Sequence, residues 1–247
     1  TLSATLNGSP FTLGDVVSAQ GVYTLVVTAE DPAGNTATDS VTFTIDTSAP
    51  DVTITPAPAV PTGENGWYSS SPVLATVGST EGGALLFYST TGAAGPWSVY
   101  LAPVALATQG GNTVWAYAAD TLGNPSAVVS LSVSIDTGDP VTTDDAPSAW
   151  STSAFDVTLE ATDTVSGVAD TYYSWDGGAV ATYTAPLAAL EGEHTLAYFS
   201  VDQAGNVEAT HTVTVLLDTT APDVVITTPA DGLLTSQTVT PAASTTD

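Results

Sequence analysis

Residues 29–54 read "AEDPAGNTATDSVTFTIDTSAPDVTI", and the same sentence returns as "AADTLGNPSAVVSLSVSIDTGDPVTT" at 118–143 and as "SVDQAGNVEATHTVTVLLDTTAPDVV" at 200–225. Each copy runs Asp-x-x-Gly-Asn, then an alternating apolar stretch, then Asp-Thr and a proline. Alternating runs dominate, in "YTLVVTAE" (23–30), "SVTFTID" (40–46), "AVVSLSVSID" (127–136) and "THTVTVLLD" (210–218). Period-two runs rich in Val, Thr and Ile are half-buried strands. The one helix-like stretch, "APVALATQ", is short and flanked by proline, which breaks helical hydrogen bonding. The predicted class is all-β.

Working outward, Gly21, Gly111 and Gly192 stand nine or ten residues before Asp31, Asp120 and Asp202, and Thr24, Thr113 and Thr195 stand seven before. Each unit is therefore expected to close with a hairpin whose loop is Asp-x-x-Gly-Asn. Trp67 ahead of "SSSPV" matches Trp150 ahead of "STSAF", marking where the next units begin. The loops recur 89 and 82 residues apart, the size of a seven-stranded sandwich. The expectation is tandem Ig-like β-sandwiches: whole domains at 50–139 and 140–221, the C-terminal half of one at 1–49, and the N-terminal half of one at 222–247.

Joining Asp247 to Thr1 gives "TVTPAASTTDTLSATLNGSPFT", which parallels "DVTLEATDTVSGVADTYYSWDG" of the third unit. The two halves make one domain of about 75 residues by the same repeat logic. Three arrangements stay open: one period of a tandem array, separate copies completing each other by strand addition along a filament, or two intact domains with frayed flanks.

The chain of 247 residues has 26 Asp plus Glu and no Lys or Arg, for a net charge of −26. Nucleic acid and anionic membranes need basic side chains to neutralise phosphate, so neither is expected as a partner. Unpaired carboxylates instead call for metal ions or salt. Absence of cysteine removes disulfides, thiol catalysis and thiolate metal sites. No apolar run is long enough to span a bilayer, so no membrane insertion is expected. Trypsin has nothing to cut, a property expected of a protease-exposed surface.

The residues "DPAGN…FTIDTSAPDVTI" resemble the bacterial Ig-like repeats of giant secreted adhesins. The third unit, "SGVADTYYSWDGG…YTAPLAALEGEHTLAYFSVDQAGNVE", is similar to OmpL47-type Ig-like domains of bacterial surface proteins. The resemblance implies an extracellular or cell-surface setting and a structural stalk or filament segment in an adhesion context. It also implies copies end to end as the partner, and Ca2+ at linker acids that stiffens the joints between domains. The second unit departs from the pattern, with "DTLGN" at 120–124 and "DTGDP" at 136–140.

The Asp-x-x-Gly-Asn signature is, by itself, a tight turn in which Asp accepts local amides and Gly supplies positive φ. Because one linker strand leads straight into the next domain, the loop and the linker acids are expected to meet at one end of each sandwich. That gathers hard oxygen ligands suited to calcium, which takes six to eight of them. The candidate ligands are Asp31, Asp46, Asp51, Asp120, Asp136, Asp139, Asp202, Asp218 and Asp223. Pro50, Pro140 and Pro222 add stiffness by fixing their own φ and restricting the residue before them.

Two other functions fit the residue types. Aromatic side chains can stack on sugars, and Trp97 and Trp175, beside Gly- and Pro-rich turns, are the candidates for a glycan or host-surface ligand. A non-catalytic appendage of a secreted enzyme is the other. Catalysis is not expected: His194 and His211 lack spaced partners for zinc or a nucleophile, and the pair Asp144 and Asp145 is one of many acidic neighbours.

Overall fold

The computed structural model describes residues 1–233 and 238–246, and all of its regular elements are strands. Asp247 and residues 234–237 lie outside the described residues, and the expected Asp247-to-Thr1 junction with them. The chain divides into two compact units, Thr1–Val60 with Pro72–Val133, and Pro61–Ser71 with Ser134–Asp247.

The first unit opens with an antiparallel sheet in the order Ser9–Pro10, Leu2–Leu6, Gly21–Glu30, Thr36–Ile45. Gly21–Glu30 and Thr36–Ile45 pair over their whole length, from Gly21 opposite Ile45 to Glu30 opposite Thr36, so residues 31–35 are the loop of a true hairpin. Further along lies a sandwich. One layer is Val104–Leu106, Val73–Gly78 and Thr53–Ala57; the other contains the order Val129–Ile135, Gly110–Ala119, Leu85–Ser89, Ser98–Val99. Alternation decides what faces inward, with Val73, Ala75 and Val77 from one layer and Val114, Ala116 and Ala118 from the other all buried. "APVALATQ" contains the strand Val104–Leu106.

The second unit repeats the plan. Its main sheet runs Ala181–Thr182, Val168–Trp175, Gly192–Asp202, His211–Leu217, accompanied by the ladders Val141–Asp144 with Leu159–Thr162 and Asp156–Val157 with Leu187–Ala188. Val157, Leu159, Leu187, Leu196, Tyr198 and Val215 form the core. Glu208 is buried beside it: its carboxylate accepts from the Thr142 amide at 3.0 Å, the Ser200 amide at 2.6 Å and the Thr142 hydroxyl. Trp67–Tyr68 pairs in parallel with Ser134 and Ile135. A hairpin of Asp223–Thr228 with Ala242–Thr246 carries exposed residues throughout.

The hairpin expectation needs one correction. In the second and third repeats the strand does not resume straight after Asn124 or Asn206; single bridges, Ala119 to Pro125 and Val201 to Val207, are followed by loops to Val129 and His211. Pro125 has no amide to give a ladder, and Glu208 turns inward to its buried donors instead of extending the strand.

Candidate metal centre and joint

The repeated loop is built the same way three times. Asp31 Oδ1 accepts from the amides of Ala33 (2.8 Å) and Asn35 (2.9 Å), and its Oδ2 accepts from Asn35 Nδ2 at 2.8 Å. Asp120 repeats this with Leu122, Asn124 and Asn124 Nδ2 at 2.9, 2.8 and 2.7 Å. Asp202 does so with the Asn206 amide and Nδ2, both at 2.8 Å. Gly34, Gly123 and Gly205 hold φ of 87°, 93° and 87°, a region glycine enters without steric cost. These donors favour the charged carboxylate. The Asn35 side chain leads in holding Asp31 below its ordinary range, while at Asp120 burial pushes upward and the Asn124 and backbone donors outweigh it.

The asparagine has a second proton, and the linker receives it. Asn124 Nδ2 donates to the backbone carbonyl of Asp46 at 3.1 Å, and Asn206 Nδ2 donates to that of Asp136 at 3.2 Å. The linker acids also cap their own turns: Asp46, Asp136 and Asp218 each accept, through Oδ1, the amide two residues on, from Ser48, Gly138 and Thr220. Around Asp202 the joint is clamped further. Glu64 donates its amide to the Ala204 carbonyl at 2.9 Å, and Asn65 Nδ2 donates to the Gln203 carbonyl at 2.9 Å. The approach is so close that a Cβ on Gly63 would lie 2.3 Å from the Ala204 oxygen.

At this joint three carboxylates converge. Asp136, Asp163 and Asp202 place oxygens within 4.8 Å of one another, the one such group among the described residues. Asp136 and Asp202 are fully buried. Asp136 Oδ2 accepts from the Ser166 amide at 2.9 Å, and Asp163 Oδ1 from the amides of Val165 and Gly167. Calcium–oxygen distances near ~2.4 Å put opposite ligands ~4.8 Å apart, so the spacing fits a hard divalent ion whose remaining ligands would be water. Asp163 Oδ1 uses both lone pairs on its two amides, so Oδ2 is the oxygen it would offer such an ion, whereas Asp136 Oδ2 and Asp202 Oδ1 each keep a lone pair beyond one amide donor.

Sequence spacing pointed to Asp136 and Asp202, and the structure brings them together. It missed Asp163, in "ATDTVSG", because a strand-end loop with one acid has no signature beside the repeated sentence. Asp46 and Asp120 share a joint through Asn124, and among the described residues they form no three-acid group. Asp51 instead binds Thr80 and Ser79, and the Thr80 hydroxyl leads in holding it below its ordinary range. Asp31, Asp139 and Asp223 are exposed, and Asp218 is half-buried.

The aromatic candidates sit differently from the expectation of exposure. Trp97 is half-buried edge-on to Tyr117, and Trp175 is half-buried edge-on to His194. Trp150 is the exposed tryptophan, at 53%. His194 is bracketed by two acceptors, Asp176 Oδ2 at 2.7 Å and the Glu191 carbonyl at 2.9 Å. That arrangement needs a proton on both ring nitrogens, so Asp176 first and Glu191 second raise its pKa.

No curated protein matches the chain. Among solved structures it is similar to the fibronectin(III)-like modules of Clostridium thermocellum CbhA, at 20% identity over 67% of this chain and 94% of that one, with a TM-score of 0.31. It is similar to a tetra-tandem repeat in the extending region of a large adhesion protein, at 19% identity over 99% and 73%, TM-score 0.38. It is also similar to the Ca2+-stabilized adhesin with which an Antarctic bacterium binds ice, at 20% identity over 93% and 68%, TM-score 0.33. Among the described residues no helix is long and apolar enough to cross a membrane. Residues 4–47, which hold the first "DPAGN" loop and its "FTID" strand, match the family described as bacterial Ig-like domain.

Proposed function

We propose that the chain is a structural, non-catalytic segment of an extracellular surface protein, a stalk or filament in an adhesion context. In this reading the domains are bounded near 50, 140 and 222 and joined stiffly end to end. One observation carries it: the same asparagine of the same loop holds the same linker carbonyl at two successive joints, Asn124 to Asp46 and Asn206 to Asp136. A repeated sentence that spends its distinctive residues on fixing a linker serves mechanical continuity. Ca2+ at Asp136, Asp163 and Asp202 belongs to the same reading, since three carboxylates in a chain without Lys or Arg gain from a shared cation.

Single-molecule force spectroscopy tests the proposal. A load-bearing segment gives discrete unfolding peaks whose contour increments are about 30 nm, from roughly 80–90 residues at ~3.5 Å each. Smooth extension without peaks would rule the role out.

A further inference from the structure

Each repeat braces the turn ahead of its long strand. Eight residues before Asp31, Asp120 and Asp202 stand Tyr23, Asn112 and His194, and each sends a side-chain donor back to a carbonyl of that turn. Tyr23 Oη donates to Ala19 at 2.9 Å, Asn112 Nδ2 to Thr108 at 2.7 Å, and His194 Nε2 to Glu191 at 2.9 Å. In the first and third repeats the braced turn also grips the linker that follows the paired strand. Gln20 Oε1 accepts from the Ser48 hydroxyl at 2.6 Å. Glu191 holds more firmly, its carboxylate accepting the Thr219 amide at 2.8 Å and the Thr219 hydroxyl at 3.1 Å.

The third brace differs in kind. A hydroxyl and a carboxamide are donors as they stand, whereas an imidazole has one N–H when neutral and two when protonated. His194 meets two acceptors at once, Asp176 Oδ2 at 2.7 Å from Nδ1 and the Glu191 carbonyl at 2.9 Å from Nε2. Both bonds form only on the imidazolium. When the ring gives up a proton, the Asp176 carboxylate keeps the remaining N–H, because a charged acceptor makes the stronger bond. Nε2 then turns a lone pair on the Glu191 carbonyl, and the brace becomes a repulsion. Among the described neighbours none substitutes: Trp175 meets the ring edge-on, Val215 stands opposite it across the sheet, Glu193 alternates to the other face, and Asp218 Oδ1 accepts the Thr220 amide. The His194 side chain is 26% exposed, which opens it to solvent protons.

We infer that His194 is a proton-operated latch on the linker: with both ring nitrogens protonated it braces the Glu191 turn that holds Thr219, and with one proton lost it releases that turn. The imidazolium state is favoured by Asp176 first and by the Glu191 carbonyl second, so the ring titrates above its ordinary 6.5. Asp176 in turn is held below its ordinary 3.8, chiefly by the His194 hydrogen bond. The latch is therefore closed between the two folded-state values and opens as pH rises through that of His194. Its purpose rests on the stalk reading, in which the stiffness of this linker then follows pH.

The latch is tested apart from that reading by NMR of the whole chain. The Thr219 backbone amide and the His194 ring are followed from about pH 5.5 to about pH 8.5, with the Ser48 amide of the first linker as internal reference. The Thr219 amide should shift upfield as its bond to Glu191 weakens, with the midpoint of the His194 ring, while Ser48 stays in place. In Asp176→Asn both midpoints should move together to lower pH, and in His194→Ala the Thr219 amide should sit at the high-pH position of the parent throughout. A Thr219 amide that stays still while His194 titrates, that keeps its midpoint in Asp176→Asn while the ring's moves, or that titrates alike in the parent and His194→Ala would overturn the latch. Discrete force peaks beside such a result would leave the stalk reading standing, and smooth extension beside a coupled titration would remove the stalk and keep the latch.

Discussion

Asn206 reaches across 70 residues of sequence to donate its side-chain amide to the backbone carbonyl of Asp136, at 3.2 Å, while the same nitrogen serves Asp202 Oδ2 at 2.8 Å. One amide thus ties a turn to the linker that enters its domain. Replacing Asn206 by Ala removes both bonds and leaves a buried carboxylate short of a donor. A loss of about 1–3 kcal/mol is expected from denaturant unfolding of the second unit, with Asn124→Ala giving the corresponding loss in the first.

Gly63→Ala probes the clamp from the other side. Its Cβ would stand 2.3 Å from the Ala204 carbonyl oxygen, so the backbone must retreat and release the Glu64 and Asn65 bonds. Calorimetry should register a destabilisation of about 1–3 kcal/mol. Gly82→Ala, with nothing within 4 Å of the added carbon, serves as the control and should cost far less.

Much of this was legible in the sequence, and the reason is local. Strand alternation and the Asp-x-x-Gly-Asn turn depend on neighbours within a few residues, so their pattern survives in the text. The meeting of Asp136 with Asp202 followed from chain direction at the linker. Asp163 and the clamp of Glu64 and Asn65 on Gln203 and Ala204 did not follow, because they join loops about 30 to 140 residues apart that share no motif. The half-buried state of Trp97 and Trp175 was hidden for the same reason: Tyr117 and His194 cover them from other strands.

Calcium should stabilise the second unit selectively. At a hundredfold excess over Kd the gain is about 2.7 kcal/mol, read as a rise in its melting temperature on adding CaCl2. Asp163→Asn removes one of three charges and should abolish most of that rise while the apo protein still folds. An equal rise in parent and variant would place the ion elsewhere.

The Asp176–His194 pair gives a pH signature. His194 is raised above its ordinary 6.5, so its contribution is complete below that value and is lost as pH rises through the folded-state pKa. Asp176 is held below its ordinary 3.8, chiefly by the His194 hydrogen bond, so its contribution is present above 3.8 and lost as pH falls through the folded-state value. The pair therefore stabilises most between these limits. The melting-temperature difference between the parent and Asp176→Asn should be larger at about pH 5.5 than at about pH 8.

The coupling of loop to linker is tested most directly by a distance distribution. The chain has no cysteine, so spin labels at Ser70→Cys and Thr195→Cys, both exposed positions of the second unit, report on the joint alone by double electron–electron resonance. A single narrow distribution is predicted for the parent, broadening in Asn206→Ala as the Asp136 carbonyl is released. A parent distribution as broad as that of the variant would contradict the account.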